Sequence, residues 1–272
     1  RSQKQFYKEN NIPTAEFILT EGKQDVASNL NFLPAVNKLG KEGYDGRGVQ
    51  ILRSESDLDK AFDKPGLLEK LIDFEKEISV IVARSKIGEV VSFPIVELVF
   101  DPVHNLVQHL FSPADVAEKF EKRAREIAVD VIEKLEMVGL LAVEMFLDKE
   151  GNVLVNEVAP RTHNSGHQTI EGNITSQFEQ HLRSVLDWPL GETSQLIPTA
   201  MVNILGEDGF VGEAIYEGMD AVLKTKGVHV HLYGKKLTKP QRKMGHVTIV
   251  GDDKDELMKK VDFVKQTLKV KA

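Results

Sequence analysis

Two acids and a polar loop are the residues of this chain best suited to chemistry. Glu144 interrupts an apolar run, and residues 156–167 read NEVAPRTHNSGH, which supplies Glu157 together with basic and amide side chains. A carboxylate among apolar residues is costly to bury unless a cation compensates it. Hard oxygen ligands favour magnesium, held jointly with substrate phosphates. We therefore interpret Glu144 and Glu157 as magnesium ligands; the alternative is that Glu144 is simply exposed on an edge strand.

A predicted hairpin brings the two acids together. Apolar strands flank residues 148–151, which are typical of a turn. With this loop length Glu144 faces Val155, and Glu157 lies on the same sheet face as Glu144 because side chains alternate along a strand. A slip of one residue in the loop separates the acids.

Four polar side chains follow Glu157 within a short segment: Arg161, His163, Asn164 and His167. A proline and a glycine in the same segment predict an irregular backbone, so that these side chains can point into a cleft. Arginine suits bidentate binding of an oxyanion. Either histidine, taken singly, fits a satisfied and partly buried imidazole better, whereas the cluster favours a functional loop. No zinc site is predicted, because cysteine is absent and no third ligand has metal-site spacing.

A glycine-rich segment earlier in the chain has the features of a phosphate-binding flap. Residues 38–48 read KLGKEGYDGRG, directly after a predicted strand that ends in Lys38. Glycine lets backbone amides approach and surround an anion, and Lys38 carries the matching charge. The segment matches neither a Walker motif nor a dinucleotide-binding fingerprint. A flexible hairpin tip is an equally good interpretation of the glycines alone.

An apolar connector downstream fits an adenine site. Residues 67–72 read LLEKLI, and Glu77 follows. Adenine can lie against the apolar side chains while Glu69 and the backbone, including Lys70 and Ile72, read its edge, which leaves Glu77 to accept from ribose hydroxyls. The alternative is an ordinary junction between a helix and a strand.

Composition excludes several classes of function. The 272 residues include 35 basic and 42 acidic side chains, a formal charge of −7. This balance argues against a protein that binds the nucleic-acid backbone. No apolar run approaches the length of about eighteen residues that a membrane span needs. With no cysteine for disulfides, the chain fits a reducing cytoplasm.

Periodicity predicts three consecutive parts. Residues 1–71 alternate short helical and strand patterns, which indicates a small α/β lobe with the glycine-rich flap. Residues 72–188 begin with β-rich runs and predict a larger lobe with an antiparallel sheet. Its longest helix is expected to start with Ser112 as N-cap and to end before Gly139. Residues 189–272 predict a small β-rich domain whose own sheet precedes a final helix.

These elements, in this order, resemble the ATP-grasp superfamily: a flap lysine, a LLEKLI hinge, a following glutamate and paired acids. Five motifs narrow the resemblance to the 5-(carboxyamino)imidazole ribonucleotide synthase family, over nearly the whole chain. They are GYDGRG, FEKEISVIVAR, NEVAPRTHNSGH, TSQFEQHLR and YGK followed by RKMGH. The resemblance implies an α+β, ATP-grasp fold with a small α/β lobe, a larger antiparallel lobe and a C-terminal β-rich domain. It also implies that the family's N-terminal Rossmann-like domain is absent from this chain.

The resemblance further implies an enzyme of de novo purine biosynthesis that uses ATP and Mg²⁺. The ATP γ-phosphate activates bicarbonate to carboxyphosphate, which carboxylates 5-aminoimidazole ribonucleotide. Family members of this kind are expected to be homodimers. The resemblance assigns the metal to Glu144 and Glu157, and the ribonucleotide phosphate to Lys235 and Arg242. It assigns the ribonucleotide and bicarbonate pocket to Tyr44, Asp45, Arg161, His163 and Asn164. The residues assigned to the nucleotide are Lys38, Gly43, Gly46, Gly48, Glu69, Lys70, Ile72, Glu77 and Asn156.

Two other interpretations remain open. One is a different ATP-grasp ligase, such as a formate-dependent glycinamide ribonucleotide enzyme, against which the NEVAPRTHNSGH segment argues. The other is a truncated module that binds ATP without turnover. Neither interpretation is excluded by the residues alone.

Overall fold

A computed structural model describes residues 1–41, 48–100 and 106–272. Its α-helices are α1 Ser2–Glu9, α2 Lys23–Ala27, α3 Glu118–Lys134, α4 Thr169–Gly172, α5 Gln177–Val185, α6 Met219–Leu223 and α7 Lys254–Thr267. Its strands are β1 Phe17–Thr20, β2 Ala35–Leu39, β3 Val49–Leu52, β4 Gly66–Lys70, β5 Phe74–Arg84, β6 Val90–Ser92, β7 Val96–Phe100, β8 Val107–Ser112, β9 Gly139–Asp148, β10 Val153–Ala159, β11 Thr199–Leu205, β12 Gly212–Glu213, β13 Ile215–Glu217, β14 Val228–Leu232, β15 Leu237–Thr238, β16 Lys243–Val250 and β17 Lys269–Lys271. Short 3-10 turns lie at Leu30–Phe32, Glu55–Lys60 and Asn164–Gly166.

The small lobe is built on a four-stranded antiparallel sheet in the order β1-β4-β2-β3. Val26, Leu52 and Leu68 are fully buried in the core on one face. β2 and β3 form a hairpin, and the Leu39 amide donates to the Gly48 carbonyl at the end next to the connecting loop. The sheet therefore fixes Lys38 at the base of the glycine-rich segment.

The larger sheet is a nine-stranded antiparallel layer in the order β10-β9-β5-β7-β8-β11-β16-β14, with β6 paired to β5. Helix α3 covers one end of one face, where Ala124, Ile127 and Val131 pack on β5 and β9. Helix α7 contributes to a second core beside β11 and β16. These two cores leave polar side chains of the central strands to the opposite face. The predicted α+β class, with a smaller and a larger antiparallel sheet, is confirmed.

The predicted start of the long helix is wrong. Ser112 ends β8 in the ladder opposite Thr199, and its carbonyl accepts from Gln195 Nε2 at 2.7 Å. The helix begins at Glu118, with Ala117 as its N-cap. Sheet pairing thus holds Ser112 in an extended backbone, which overrides the capping signal.

The C-terminal strands do not form a separate sheet. β11 pairs with β8 from Thr199 to Val202, so β11, β16 and β14 continue the large sheet. At the other end of the chain, Tyr7 and Ile12 pack in the same core as α3. The division at residues 71 and 188 stays a prediction. Across residues 1–41, 48–100 and 106–272, no helix has both the length and the apolar character to cross a membrane.

Gly66 on β4 allows the backbone of Lys38 on β2 to approach closely, and a substitution tests whether stability depends on this approach. A Cβ at Gly66 would lie 2.2 Å from the Lys38 carbonyl oxygen, an atom of the neighbouring backbone. We expect Gly66→Ala to lower the free energy of unfolding by about 3 kcal/mol, because a strand cannot yield as a flexible side chain can. Gly251→Ala is the matched control, since its Cβ would first meet the Glu256 carboxylate at 3.1 Å. Urea unfolding measures both variants, and equal losses would contradict the prediction.

Candidate active site

The hairpin that carries the predicted metal ligands has a different register from the one expected. Asp148 closes a longer loop, because its carboxylate accepts from the Asn152 amide at 2.7 Å. Met145 therefore faces Val155, and a bulge at the next position brings Glu144 directly opposite Glu157. The expectation that Glu144 faces Val155 is wrong. The two acids nevertheless converge, because the bulge adds a second one-residue shift, and a total shift of two residues keeps both side chains on one face.

A third acid joins this pair on the same sheet face. Glu144 lies opposite Ser79 on β5, two positions from Glu77, so the side chains of Glu77 and Glu144 point to one side. Both are 8% exposed, which excludes the open edge-strand interpretation of Glu144. Burial raises the pKa of Glu144 to about 8, and the charges of Glu157 and Glu77 contribute to this shift. Burial likewise raises the pKa of Glu77 to about 8, with Glu157 adding to the shift.

These carboxylates fit a magnesium ion that also binds phosphate. Within the part of the chain that the structure describes, no group of three or more histidines, cysteines or acids is arranged to hold a metal by itself. Magnesium is commonly held by one or two carboxylates plus substrate phosphates, so Glu144 and Glu157 form a suitable partial set. The raised pKa of Glu144 marks a buried charge that lacks sufficient compensation, which a cation would supply.

Lys38 reaches this acid group from the small lobe. Its ammonium donates to Asn156 Oδ1 at 2.9 Å and to Glu69 Oε1 at 3.1 Å. Asn156 occupies the β10 bulge and hydrogen bonds to Glu77 through its side chain. The bulge thus brings a predicted nucleotide residue between the flap lysine and the acids.

The charged side chains of the hinge residues are held by contacts within the protein. Glu69 is 2% exposed and pairs with the ammonium groups of Lys4, at 2.8 Å, and Lys38. Its carboxylate therefore anchors two lysines, and its expected use in reading the adenine edge stays a prediction. The Lys70 ammonium donates to the Phe32 carbonyl at 3.0 Å, and Ile72 lies half-buried in the connector after β4. A nucleotide contact from this hinge would come from backbone groups.

His163 is held in a defined orientation beside Glu144. Its Nε2 lies 3.5 Å from Glu144 Oε1, while its Nδ1 accepts from the Ser165 amide at 3.3 Å. In the neutral ring this places the proton on Nε2, facing the acid. The Ser165 hydroxyl lies 2.9 Å from Nδ1 and 2.8 Å from the hydroxyl of Ser79 on β5. A buried hydroxyl pair therefore connects the loop to the sheet.

Asn164 and His167 extend the polar surface toward the C-terminal strands. Asn164 exchanges amide hydrogen bonds of 2.9 and 3.0 Å with Asn203 on β11. His167 stacks on His246 with ring centroids 4.6 Å apart, and His246 stacks on His231 at 4.5 Å. Burial lowers the pKa of His167 to about 4 and that of His246 to about 3, so both rings are neutral near pH 7.

The predicted anion-binding cations occupy two segments. Arg161 is exposed and donates to the Thr162 carbonyl at 3.0 Å. Its positive charge acts to lower the pKa of Glu144, but burial of Glu144 raises this pKa by more. Lys235 and Arg242 lie in the segment between β14 and β16, where they donate to the carbonyls of Lys243, at 2.6 Å, and Leu237, at 2.8 Å, respectively. The two cations predicted for the ribonucleotide phosphate therefore share a segment.

Lys243 is a charged residue of this face that the sequence analysis did not single out. Its charge acts to lower the pKa of both Glu144 and His167, which places its ammonium near the acids and the polar loop. Lys4, Ser79 and Asn203 were not singled out either. A polar residue inside an apolar strand, as at Ser79 and Asn203, was the available signal.

Part of the predicted flap lies outside the described residues, namely Gly43, Tyr44, Asp45 and Gly46. Gly48 is described. It has a φ of +74° at the start of the return strand, a conformation that favours glycine. Its carbonyl closes the hairpin at Leu39.

Comparison with known protein families gives matches along most of the chain. Residues 5–178 match the ATP-grasp domain family, and residues 199–260 match the family described as the phosphoribosylaminoimidazole carboxylase C-terminal domain. The N5-carboxyaminoimidazole ribonucleotide synthase of Bacillus subtilis is 40% identical over 233 residues, which cover 84% of this chain and 59% of that protein. The chain therefore spans less than two thirds of that relative.

Two solved structures are similar along almost the whole chain. N5-carboxyaminoimidazole ribonucleotide synthetase from Thermotoga maritima has 43% identity and a TM-score of 0.89, covering 99% of this chain and 71% of that one. The N5-carboxyaminoimidazole synthase from Aspergillus clavatus, solved in complex with ADP and 5-aminoimidazole ribonucleotide, has 30% identity and a TM-score of 0.85, covering 97% of this chain and 71% of that one. The fold, the acid pair and both matched domain families lead to one conclusion: this chain belongs to the N5-carboxyaminoimidazole ribonucleotide synthase family of ATP-grasp proteins.

Proposed function

We propose that this chain carries out the ATP- and bicarbonate-dependent carboxylation of 5-aminoimidazole ribonucleotide in purine biosynthesis. The observation that carries the proposal is that Glu144 and Glu157 lie opposite each other across the hairpin, on the same sheet face as Glu77. Asn156, which directly precedes Glu157 in the chain, accepts a hydrogen bond from Lys38. A nucleotide phosphate placed there meets an ammonium on one side and metal-binding carboxylates on the other. The ligand in the Aspergillus clavatus relative supports 5-aminoimidazole ribonucleotide as the acceptor.

The reaction forms two bonds in sequence. A bicarbonate oxygen attacks the γ-phosphorus of ATP, ADP leaves, and carboxyphosphate forms. The exocyclic amine of the ribonucleotide then bonds to the carboxyl carbon, phosphate leaves, and the amine loses a proton. The protein contributes alignment and charge compensation in both steps, since phosphoryl transfer requires little covalent chemistry from it.

Each predicted residue has a specific part in this scheme. Lys38 compensates the charge of the ATP phosphates, while Glu144 and Glu157 would hold magnesium, which neutralises phosphate charge when bound. Arg161 presents a planar pair of donors to bicarbonate or carboxyphosphate. His163, with its proton on Nε2, donates a hydrogen bond on the side of Glu144 where Arg161 binds the anion. Lys235 and Arg242 bind the ribonucleotide phosphate. The flap with Tyr44 and Asp45 excludes water, which would hydrolyse carboxyphosphate.

Phosphate release provides the test of this function. We expect ATP-dependent phosphate release that requires bicarbonate and increases when 5-aminoimidazole ribonucleotide is added. The same assay with formate and glycinamide ribonucleotide is the control for a different ATP-grasp ligase. ATP binding without turnover under any of these conditions would instead identify a non-catalytic module.

The homodimer and the cytoplasmic location also remain proposals. Helix α5 supports the homodimer, because its polar Gln177 and Gln180 are buried. In contrast, Leu182 on the same helix is 53% exposed, and Trp188, just beyond the end of the helix, is 58% exposed. An exposed apolar surface of this kind is suited to a contact with a second copy of the chain.

Glu157→Gln tests the metal site. We expect magnesium-dependent turnover to fall on the order of a hundredfold, because one of the two carboxylates that meet across the hairpin is lost. Glu157 is exposed, so the fold should be retained. Glu150→Gln, in the exposed turn of the same hairpin, is the matched control. Turnover is measured over a magnesium titration, and an unchanged rate at limiting magnesium would refute the assignment.

Arg161→Lys tests the anion site. Lysine keeps the charge but loses the planar pair of donors, so turnover should fall on the order of a hundredfold while the Kd for ATP changes less than about threefold. Arg183→Lys on α5, where the arginine pairs with Glu179 at 2.7 Å, is the control. Turnover and calorimetric ATP affinity are measured together. Equal losses in both would place Arg161 at the nucleotide instead.

Glu144→Gln tests the buried charge through stability. The folded-state pKa of about 8 lies above the ordinary value of 4.5, so the folded protein holds an extra proton between these values and loses stability as pH rises through them. The amide of the variant cannot ionise, so the variant should lose less stability between these two pH values, by at most about 1.4 kcal/mol per pH unit. Urea unfolding without metal, beside Glu150→Gln, measures the difference. Parallel pH profiles for wild type and variant would contradict the shift.

A further inference from the structure

Lys4 is a buried lysine on α1 that none of the site assignments above uses. It is 4% exposed, and its ammonium lies 2.8 Å from Glu69 Oε2. The same ammonium donates to Thr14 Oγ1 at 2.5 Å and to the Val155 carbonyl at 3.4 Å. Burying a lysine is costly unless its charge is paired and its protons are bonded, and Lys4 meets both conditions here.

The carboxylate that pairs with Lys4 is shared with the flap lysine. Glu69 Oε2 faces Lys4, whereas Glu69 Oε1 faces the Lys38 ammonium at 3.1 Å. Glu69 is 2% exposed, so solvent screens these contacts little. One buried carboxylate therefore lies between two ammonium groups.

The charge balance of this group decides what Lys38 can offer to a phosphate. Two cations and one anion leave one net positive charge, and Lys38 is the more exposed of the two lysines, with 23% of its side chain accessible against 5% for Lys4. Without Lys4 the balance would be zero, and Glu69 would hold Lys38 in a neutral ion pair. Burial lowers the pKa of Lys4, and the charge of Glu69 opposes this shift, so the ion pair is what maintains the charge on Lys4.

Lys4 also fixes the second partner of Lys38. Its ammonium and the Thr14 hydroxyl both donate to the Val155 carbonyl, the latter at 2.6 Å. Val155 immediately precedes Asn156, whose side-chain oxygen accepts from Lys38 at 2.9 Å. Both acceptors of the flap lysine are thus attached to Lys4, one by an ion pair and one through the backbone of β10.

We propose that Lys4 is a positioning residue for ATP: it neutralises Glu69, so that the charge of Lys38 remains available to the nucleotide phosphates. The inference rests on the proposed role of Lys38. In this proposal the buried Lys4 side chain does not contact the nucleotide itself. Its effect on ATP binding must therefore pass through Glu69, which makes the idea testable by combining substitutions.

A double-mutant cycle on ATP affinity separates this role from a structural one. Calorimetry with MgATP measures the Kd of wild type, Lys38→Met, Lys4→Met, Glu69→Gln and the Lys4→Met/Glu69→Gln double variant. We expect Lys4→Met to raise the Kd at least about tenfold in the wild-type background, because Glu69 then neutralises Lys38. In the Glu69→Gln background the same substitution should raise the Kd less than about threefold, because no carboxylate remains to be neutralised.

Controls address charge, fold and the underlying assignment. Lys8→Met removes an exposed lysine one turn along α1, and Lys4→Arg retains the charge, so both should bind ATP with nearly the wild-type Kd. Urea unfolding of each variant reports stability separately. If Lys4→Met does not fold, the double variant compared with Glu69→Gln still tests the inference, because a rise in the Kd of about tenfold or more in that background would overturn it.

The outcomes are distinct. An unchanged Kd for Lys38→Met would contradict the proposed role of Lys38 in ATP binding. The phosphate-release assay would then decide separately whether the chain has the proposed activity. A weakened Lys38→Met beside an unchanged Lys4→Met would overturn the inference about Lys4. A loss on Lys4→Met that is just as large in the Glu69→Gln background would also overturn it, since Lys4 would then act on structure and not through Glu69.

Discussion

Compensation of buried carboxylates is the constraint on which this site depends. Glu69, Glu77 and Glu144 are each at most 8% exposed, and an ionised acid at such a position must find a cation or donors, or take up a proton. Glu69 has two lysines at hydrogen-bond distance. Glu77 has the Asn156 amide and the charge of Lys38, and Glu144 has the His163 ring at 3.5 Å and the charges of Lys243 and Arg161. Glu69 is therefore the best compensated of the three, whereas burial raises the pKa of both Glu77 and Glu144, the acids nearest to Glu157.

Rigid packing on the other sheet face allows this imbalance to persist. The strands that carry Glu77 and Glu144 also carry Ile78, Val80, Val143 and Met145, which are fully buried in the core that includes α3. Alternation along each strand thus assigns the apolar side chains to the helix and the acids to the opposite side. A strand held by a packed core cannot rotate to move its acid into solvent, so a proton or a cation must offset the cost of the buried charge.

The polar loop after β10 is fixed by a buried amide as well as by the sheet. Gln177 on α5 accepts from the His163 amide at 2.9 Å and donates to the His163 carbonyl at 2.8 Å. A Cβ at residue 166 would lie 2.5 Å from Gln177 Oε1, which explains the glycine there. This accounts for the unusual character of α5, whose glutamines point inward while several apolar side chains face outward. The helix stabilises a loop through hydrogen bonds where most helices pack an apolar stripe.

Much of this protein follows from the sequence alone. The order of flap lysine, hinge and paired acids indicated the ATP-grasp family, and apolar alternation predicted the main strands, because both signals are local. The convergence of Glu144 with Glu157 was also predictable, although by a register that proved wrong. The loop closed by Asp148 and the bulge at Asn156 each shift the pairing by one residue in the same direction, so the partner of Glu144 moves from Val155 to Glu157. Neither feature has a pattern that distinguishes it from a regular hairpin.

Contacts between distant segments are what only the tertiary structure decided. Ser112 was interpreted as a helix cap because its pairing partner Thr199 is distant in the chain. The shared use of Glu69 by Lys4 and Lys38 likewise joins residues from three separate elements. No local pattern could indicate such contacts, because the free energy of a buried charge depends on which groups the fold places around it.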